Sequence, residues 1–221
     1  MTESRTYDLR DFDIVAVSTG IRAILTIGGD FSVRVNANDL EVLDRVDVSV
    51  AGGRLHIGIG RGFFDFVLGG GLIDMLKRGG FNVTAYITLP ALNGVEGSSG
   101  ARIEASNVKS DRFHTDASSG AQVTLLGVSG GNFRAEASSG GRIEIEGAIA
   151  EIDADVSSGG NIRADRLEAQ RGRLEASSGG HVETTVKSRV RATASSGGHI
   201  RVNGDPAERD VNTSSGGHVA I

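Results

Sequence analysis

Five carboxylates recur about once every twenty residues: Glu96, Asp116, Glu136, Asp155 and Glu175 are separated by 20, 20, 19 and 20 positions. Three imidazoles keep the same beat, His181, His199 and His218, 18 and 19 apart. If residues one repeat apart are neighbours in space, the first set is a column of stacked acids, a surface for hard cations that take carboxylate oxygens. The second is a column of imidazoles, the side chain that binds transition metals. Each set also has a plainer reading. Stacked acids make a solvated face that discourages lateral sheet pairing, balanced by arginines, for which Arg102, Arg134, Arg142 and Arg173 are candidates. Stacked imidazoles with no adjoining acid make a surface row of polar rings. The repeat lacks the corner aspartate of calcium-binding solenoids. Both sets are therefore carried as binding candidates, and no metal site and no cofactor are assigned.

The element that must position these side chains is Ser-Ser-Gly, which begins at Ser98, Ser118, Ser138, Ser157, Ser177, Ser195 and Ser214. A repeat of 18 to 20 residues is the signature of a solenoid, in which one unit stacks on the next. Counted from the first Ser, the fifth position onward is Ile103, Val123, Ile143, Ile162, Val182, Ile200 and Val219, all β-branched. The position before the Ser is small or aliphatic, and apolar or small residues recur two and four places earlier, among them Val95, Leu174, Phe113, Phe133 and Ile152. Apolar and polar residues thus alternate, the period of strands with one buried face. The same alternation puts the second Ser and the residue after the Gly inside. A further apolar position near the tenth, Val108, Val128, Ala148 and Leu167, fits a third side. So short a unit accommodates one coil of a parallel β-helix. Its drifting length departs from the strict multiples of six of left-handed hexapeptide helices, so a right-handed single-stranded β-helix is expected. The Gly implies a bend with positive φ or a close approach between coils.

The chain has 221 residues with 33 Gly, two Pro and no Cys, and a formal net charge of −5. The periodic Gly argues for turns rather than disorder. Without Cys there is no disulfide and no thiolate site, and the acidic balance gives no reason to invoke nucleic acid. No apolar run is long enough to span a bilayer as a helix, and Met1-Thr2-Glu3-Ser4-Arg5 lacks the apolar core of a signal peptide. Residues 1–97 read as a β-rich entrance and 98–221 as the regular coils, together one continuous domain. In the entrance, Phe12–Val17, Ile21–Ile27 and Phe31–Val35 are predicted strands, with Gly28-Gly29-Asp30 a turn. Asn38–Arg45 is a predicted short helix capped by Asn38. Val46–Val50 and Arg54–Ile59 flank a tight turn at Gly52-Gly53, and Phe81–Leu89 is a further strand.

That order of features resembles a known family: a Phe-led first strand, Gly-Gly-Asp, the hairpin Val46 to Ile57, a strand ending Leu89-Pro90-Ala91-Leu92, then serial Ser-Ser-Gly. It is similar to the putative auto-transporter adhesin head domain, the GIN family, over roughly Arg5 to Ile221. The resemblance implies a right-handed β-helix exported to the bacterial envelope (periplasmic, outer-surface or secreted), with an adhesive or surface-binding role. It supplies no catalytic residues. The apolar stretch 60–80, with Phe63, Phe64, Phe66, Leu72, Ile73 and Leu76, departs from the pattern. It reads either as a flap over the open end of the solenoid or as a contact for a subunit or membrane surface.

The repeated serines are no nucleophiles: no Gly-x-Ser-x-Gly elbow is present, and seven identical copies signal geometry rather than one activated group. The sequence therefore points to a non-enzymatic binding or structural module whose partner is an unidentified surface or glycan. Two alternatives stand beside it. One is a polysaccharide-active enzyme on a β-helix scaffold. The other is a filament subunit associating through 60–80 or through the last coil, which ends without a polar cap. The assignment of faces is testable. Ile143→Asp places an unpaired charge inside the stack and is expected to cost more than about 3 kcal/mol. Arg142→Asp, facing out, is expected to cost less than about 1 kcal/mol. Urea denaturation of the two variants checks both.

Overall fold

The computed structural model describes residues 3–60 and 82–221. Apart from one helical turn, its regular elements are β-strands, which stack as the coils of a solenoid. The regular part runs through β8 (Gly94–Gly97), β9 (Arg102–Ser106), β10 (Lys109–Ala117), β11 (Gln122–Ala137), β12 (Arg142–Val156), β13 (Asn161–Ala176), β14 (His181–Ala194), β15 (His199–Asn203), β16 (Glu208–Thr213) and β17 (His218–Ala220). Pairing between coils is parallel throughout this part. β11 to β13 are 15 or 16 residues long because each bends around a side of the coil, with register shifts at Leu125/Val128 and Glu144/Gly147.

The inward columns are the predicted ones. Ile103, Val123, Ile143, Ile162, Val182 and Ile200 stack in register and are 0–1% exposed. Phe113 and Phe133 stack ring on ring at 4.7 Å, with Ile152 next in the column. One column differs: Gly147, not Ala148, stands between Val128 and Leu167, and Ala148 is exposed while Ile149 is buried. The coil there is one residue shorter, so the register slips by one and the opposite side chain turns inward.

Each Ser-Ser-Gly is a type I′ turn. The second Ser has φ of 47–51° and the Gly 71–77°, and the residue after the Gly donates its N–H to the carbonyl of the first Ser, as Gly141 does to Ser138 at 2.8 Å. Two successive left-handed residues reverse the alternation, so the second Ser is exposed rather than inside as the period predicts. The two roles foreseen for one glycine fall on two. Gly140 supplies the positive φ, and a Cβ there would meet nothing within 4 Å. Gly141 supplies the close approach, because a Cβ there would overlap the Ala117 carbonyl of the previous coil. One coil earlier the small partner is on the other side: Ala121 lies above Gly97, whose own Cβ would come within 3.2 Å of it.

An eighth corner escaped the sequence pattern. Ser18-Thr19-Gly20 has the same φ signs, 59° and 69°, and Ile21 donates to Ser18. Its strands β2 (Ile14–Val17) and β3 (Arg22–Ile27) pair directly with β8 and β9. Beyond them lie β6 (Arg54–Ile59) beside β2 and β7 (Val83–Leu89) beside β3. The segment joining β6 to β7 therefore leaves from and returns to the places flanking a corner. It contains Phe63, Phe64, Phe66, Leu72, Ile73 and Leu76, which lie outside the described residues.

The first end of the stack is finished by antiparallel strands. β5 (Val46–Ala51) pairs with β6, β4 (Ser32–Ala37) with β7, and β1 (Glu3–Tyr7) with β4. α1 (Leu40–Leu43) adds Val42 and Leu43 to the core. Its N-cap is Asp39 and not Asn38: the Asp39 carboxylate accepts the Glu41 N–H at 2.8 Å. At the far end β16 is exposed along its whole length. This end is not bare of polar cover, however. Arg209 takes the place in the core column that Val190 holds below it. Its Nε donates to the Pro206 carbonyl at 2.9 Å, its guanidinium pairs with Asp205, and Pro206 itself is buried.

The division of labour between the corner glycines predicts unequal costs. Gly140→Ala is expected to cost about 1–2 kcal/mol, the strain of a left-handed alanine. Gly141→Ala is expected to cost roughly 3 kcal/mol or more, because backbone must move. Urea midpoints of the two variants test the ranking.

Candidate functional site

The corner divides the outer surface. Strands entering it make one face, and strands leaving it make another. On the entering face the five acids form a single column: Asp116 is in register with Glu96 and Glu136, Asp155 with Glu136 and Glu175. Arginines neutralise every second member. Arg54 reaches Glu96 at 2.6 Å, Arg134 pairs with Glu136, and Arg173 reaches Glu175 at 2.7 Å. Arg134 and Arg173 are the predicted partners. Arg102 and Arg142 are not partners of this column, because they stand on the leaving face. Arg54 was missed because it is distant in sequence and reaches the column through the pairing of β6 with β2.

The two acids between these pairs, Asp116 and Asp155, titrate above the ordinary carboxylate range. For Asp116 the causes are burial first, then the charges of Glu136 and Glu96, opposed by His114 and a hydrogen bond with Ser118. For Asp155 they are burial, then Glu175 and Glu136, opposed by Arg134. The column is a line rather than a cage. Among the described residues no three His, Asp or Glu side chains gather closely enough to hold a metal ion.

At its start the acid column opens into a cleft of about 450 Å³, lined among others by Ser18, Asp47, His56, Glu96, Ser98 and Asp116. The hollow has a simple origin. Ala16 stands between His56 and Glu96 in the column, so a methyl occupies the place of a long side chain. That His56 and Glu96 belong together is not legible in the sequence, since 40 residues separate them. His114 stands beside Asp116 on the same face.

On the leaving face His181, His199 and His218 are in register, with ring centroids 6.3 and 6.1 Å apart. They are the last members of a longer column. Arg22 is opposite Arg102, Arg102 opposite Gln122, Gln122 opposite Arg142, and Arg142 opposite Asn161, which is opposite His181. No carboxylate interrupts it. The neighbouring column carries Glu104, Thr124, Glu144, Arg163, Glu183 and Arg201. Between the two faces the exposed second serines form the ridge. The bonds joining one corner to the next are made by backbone, Gly100 N–H to the Ser119 carbonyl at 3.1 Å and Gly120 N–H to the Ser139 carbonyl at 3.2 Å.

With this geometry in hand the family is decided by direct comparison. The model of the family described as "Putative auto-transporter adhesin, head GIN domain" matches residues 11–206. This chain belongs to that family. The GIN fold is seen in a putative adhesin from Bacteroides fragilis, 15% identical with a TM-score of 0.83, over 100% of this chain and 96% of that one. A putative adhesin from Parabacteroides distasonis is 16% identical with a TM-score of 0.68, covering 97% and 95%. A putative lipid binding protein from the same organism is 15% identical with a TM-score of 0.64, covering 99% and 96%. No curated protein matches the sequence. Among the described residues no helix is long and apolar enough to cross a membrane.

The raised acids of this GIN domain set the sign of a pH effect. A carboxyl whose folded pKa lies above its unfolded one loses stability when ionised, and regains it as pH falls through the folded value. Asp116→Asn removes that repulsion. Like charges on adjacent strands cost less than about 1 kcal/mol, so a rise in Tm of at most about 2–4 °C is expected at neutral pH. The gain should shrink as the pH approaches about 4. Thermal melts across that range measure it.

Proposed function

We propose that the chain is a non-enzymatic, adhesin-like binding module of the bacterial envelope, facing the periplasm or the exterior. In this reading the whole chain acts as one continuous domain and presents a long face to an extended partner. The observation that carries it is the arrangement of the outer side chains. They form unbroken columns along the stack, whereas catalysis needs a localised group of acids and bases. Family membership over residues 11–206 supports the same reading, as do the names of its structural neighbours, putative adhesins and a putative lipid binding protein.

One feature favours a second reading. In the cleft, Asp47, Glu96, Asp116 and His56 are gathered, and paired carboxylates of which one titrates high are the apparatus of a glycoside hydrolase. A single experiment separates the two. The purified chain is incubated with a panel of neutral and acidic polysaccharides, and both retention and released ends are measured. Retention without cleavage is the expected result. Release of products that disappears in Glu96→Gln and Asp116→Asn would overturn the binding-module reading.

A further inference from the structure

The two faces spend their arginines differently. On the entering face Arg134, Arg171, Arg173, Arg189 and Arg191 are ion-paired with carboxylates of the same or an adjacent coil, Arg54 pairs with Glu96 across the intervening β2, and Arg112 stands without an ion pair among the described residues. On the leaving face Arg102, Arg142, Arg163 and Arg201 have no ion-pair partner among the described residues, and all four are exposed. The acids nearest them are largely engaged elsewhere. Glu104 is held by Arg22 at 2.9 Å and Glu144 by Arg166 at 2.8 Å. Glu183 and Asp165 have no ion-pair partner among the described residues, and Asn203 approaches Glu183 at 3.5 Å. Four guanidiniums therefore face solvent against two carboxylates, on a chain whose net charge is −5.

We propose that this leaving face is the docking track for a linear anionic polysaccharide, which deepens the binding-module reading and rests on it. Three features select that occupant. First, the track is narrow and periodic. In the column of Arg102 a donor recurs once per coil, about 4.8 Å apart, and in each column the arginines recur every second coil, about 10 Å apart, so they meet a polymer that carries its anionic groups at regular intervals. Second, guanidinium is the side chain that grips carboxylate or sulfate with two parallel N–H bonds. The arginines are spaced by Gln122, Asn161 and the three imidazoles, which supply further donors for sugar oxygens. The Asn161 side-chain oxygen is itself buried without a hydrogen-bond partner. Third, from Arg102 to His218 the two columns contain no large aliphatic side chain and, apart from the imidazoles, no aromatic ring. Single-stranded nucleic acid needs aromatic platforms, and a bilayer surface needs apolar side chains to insert. The aromatic at the start of this face, Tyr86, carries the Arg34 guanidinium over its ring at 5.2 Å and lies before Arg102 in the column.

The test uses the full chain and four proteins: wild type, Arg102→Gln/Arg142→Gln, Arg163→Gln/Arg201→Gln, and the control Arg171→Gln/Arg189→Gln. All three variants lose the same charge, but the control loses it from the entering face. Binding is measured by calorimetry against polygalacturonate, dextran sulfate, neutral dextran, single-stranded DNA and phosphatidylserine vesicles, with thermal melts to verify folding. The expected result is binding to one or both acidic polysaccharides that weakens with salt. Which of the two binds separates a uronate from a sulfated chain. Each track variant should weaken binding by about tenfold or more, and the control by less than about threefold. The proposal is overturned if neither acidic polymer binds, if the control loses as much as the track variants, or if DNA or vesicles bind as tightly. Binding of neutral dextran that is indifferent to all three variants would sink the track and leave the binding-module reading standing.

Discussion

The hydrogen bond from a corner glycine N–H to the serine carbonyl of the next coil is the contact on which the rest depends. A single coil buries a handful of apolar side chains, each contributing roughly 1.5–3 kcal/mol, which is less than the entropy lost in ordering its backbone. A coil is therefore stable only on top of another, and the corner decides how closely it can sit. The tetrapeptide meets three demands at once. The turn needs positive φ at its two central residues, the glycine N–H must meet the carbonyl of the next corner, and the following residue must come within contact of the previous coil. Gly140 meets the first of these demands and Gly141 the third, while the bond between corners is made by Gly100, Gly120, Gly159, Gly179 and Gly197.

Strict register has a consequence outside the core. When every coil repeats the one below, equivalent outward side chains stand opposite each other, and like charges meet along the whole stack. On the entering face this conflict is met within the fold: arginines two residues away neutralise Glu136 and Glu175, and Arg54, reaching across the intervening β2, neutralises Glu96. Asp116 and Asp155, left between them, have raised pKa values, from burial first and then from the charges of these neighbours. On the leaving face Arg102 and Arg142 are relieved by neutral donors, Gln122 between them and Asn161 beyond Arg142. Spacing by neutral residues leaves the cations available to a partner, whereas pairing consumes them.

The same register explains what could be read in the sequence. The inward columns were legible because each is a conjunction of residue type and interval, repeated many times: Ile143, Ile162 and Val182 had no other consistent reading. The acid and imidazole columns were legible for the same reason. What escaped was local or long-range. The exposed second serine reflects a turn whose two left-handed residues break the period, and composition alone does not mark it. Gly147 took the place of Ala148 in its column through a one-residue slip. Ser18-Thr19-Gly20 was hidden by a single substitution, although Val15, Val17 and Ala23 stand at the right offsets around it. The Arg54–Glu96 pair and the cleft beside His56 join strands 40 residues apart in sequence, and only the topology of the first coils reveals them. The fate of the unpaired arginines is likewise a property of three-dimensional neighbours.

The comparison at 15% identity with a TM-score of 0.83 follows from this separation of inside and outside. The fold asks for small residues at the close approach, glycine in the turn and β-branched side chains at alternate inward positions. It asks for nothing specific on the outer columns, provided that stacked charges are paired or spaced. Two chains can share the solenoid while differing at every outward position, so likeness of fold transmits no ligand from one to the other. The ligand chemistry of such a domain is to be sought in the outward charges that its own coils leave unneutralised, and on the face that leaves the corner those include Arg102, Arg142, Arg163 and Arg201.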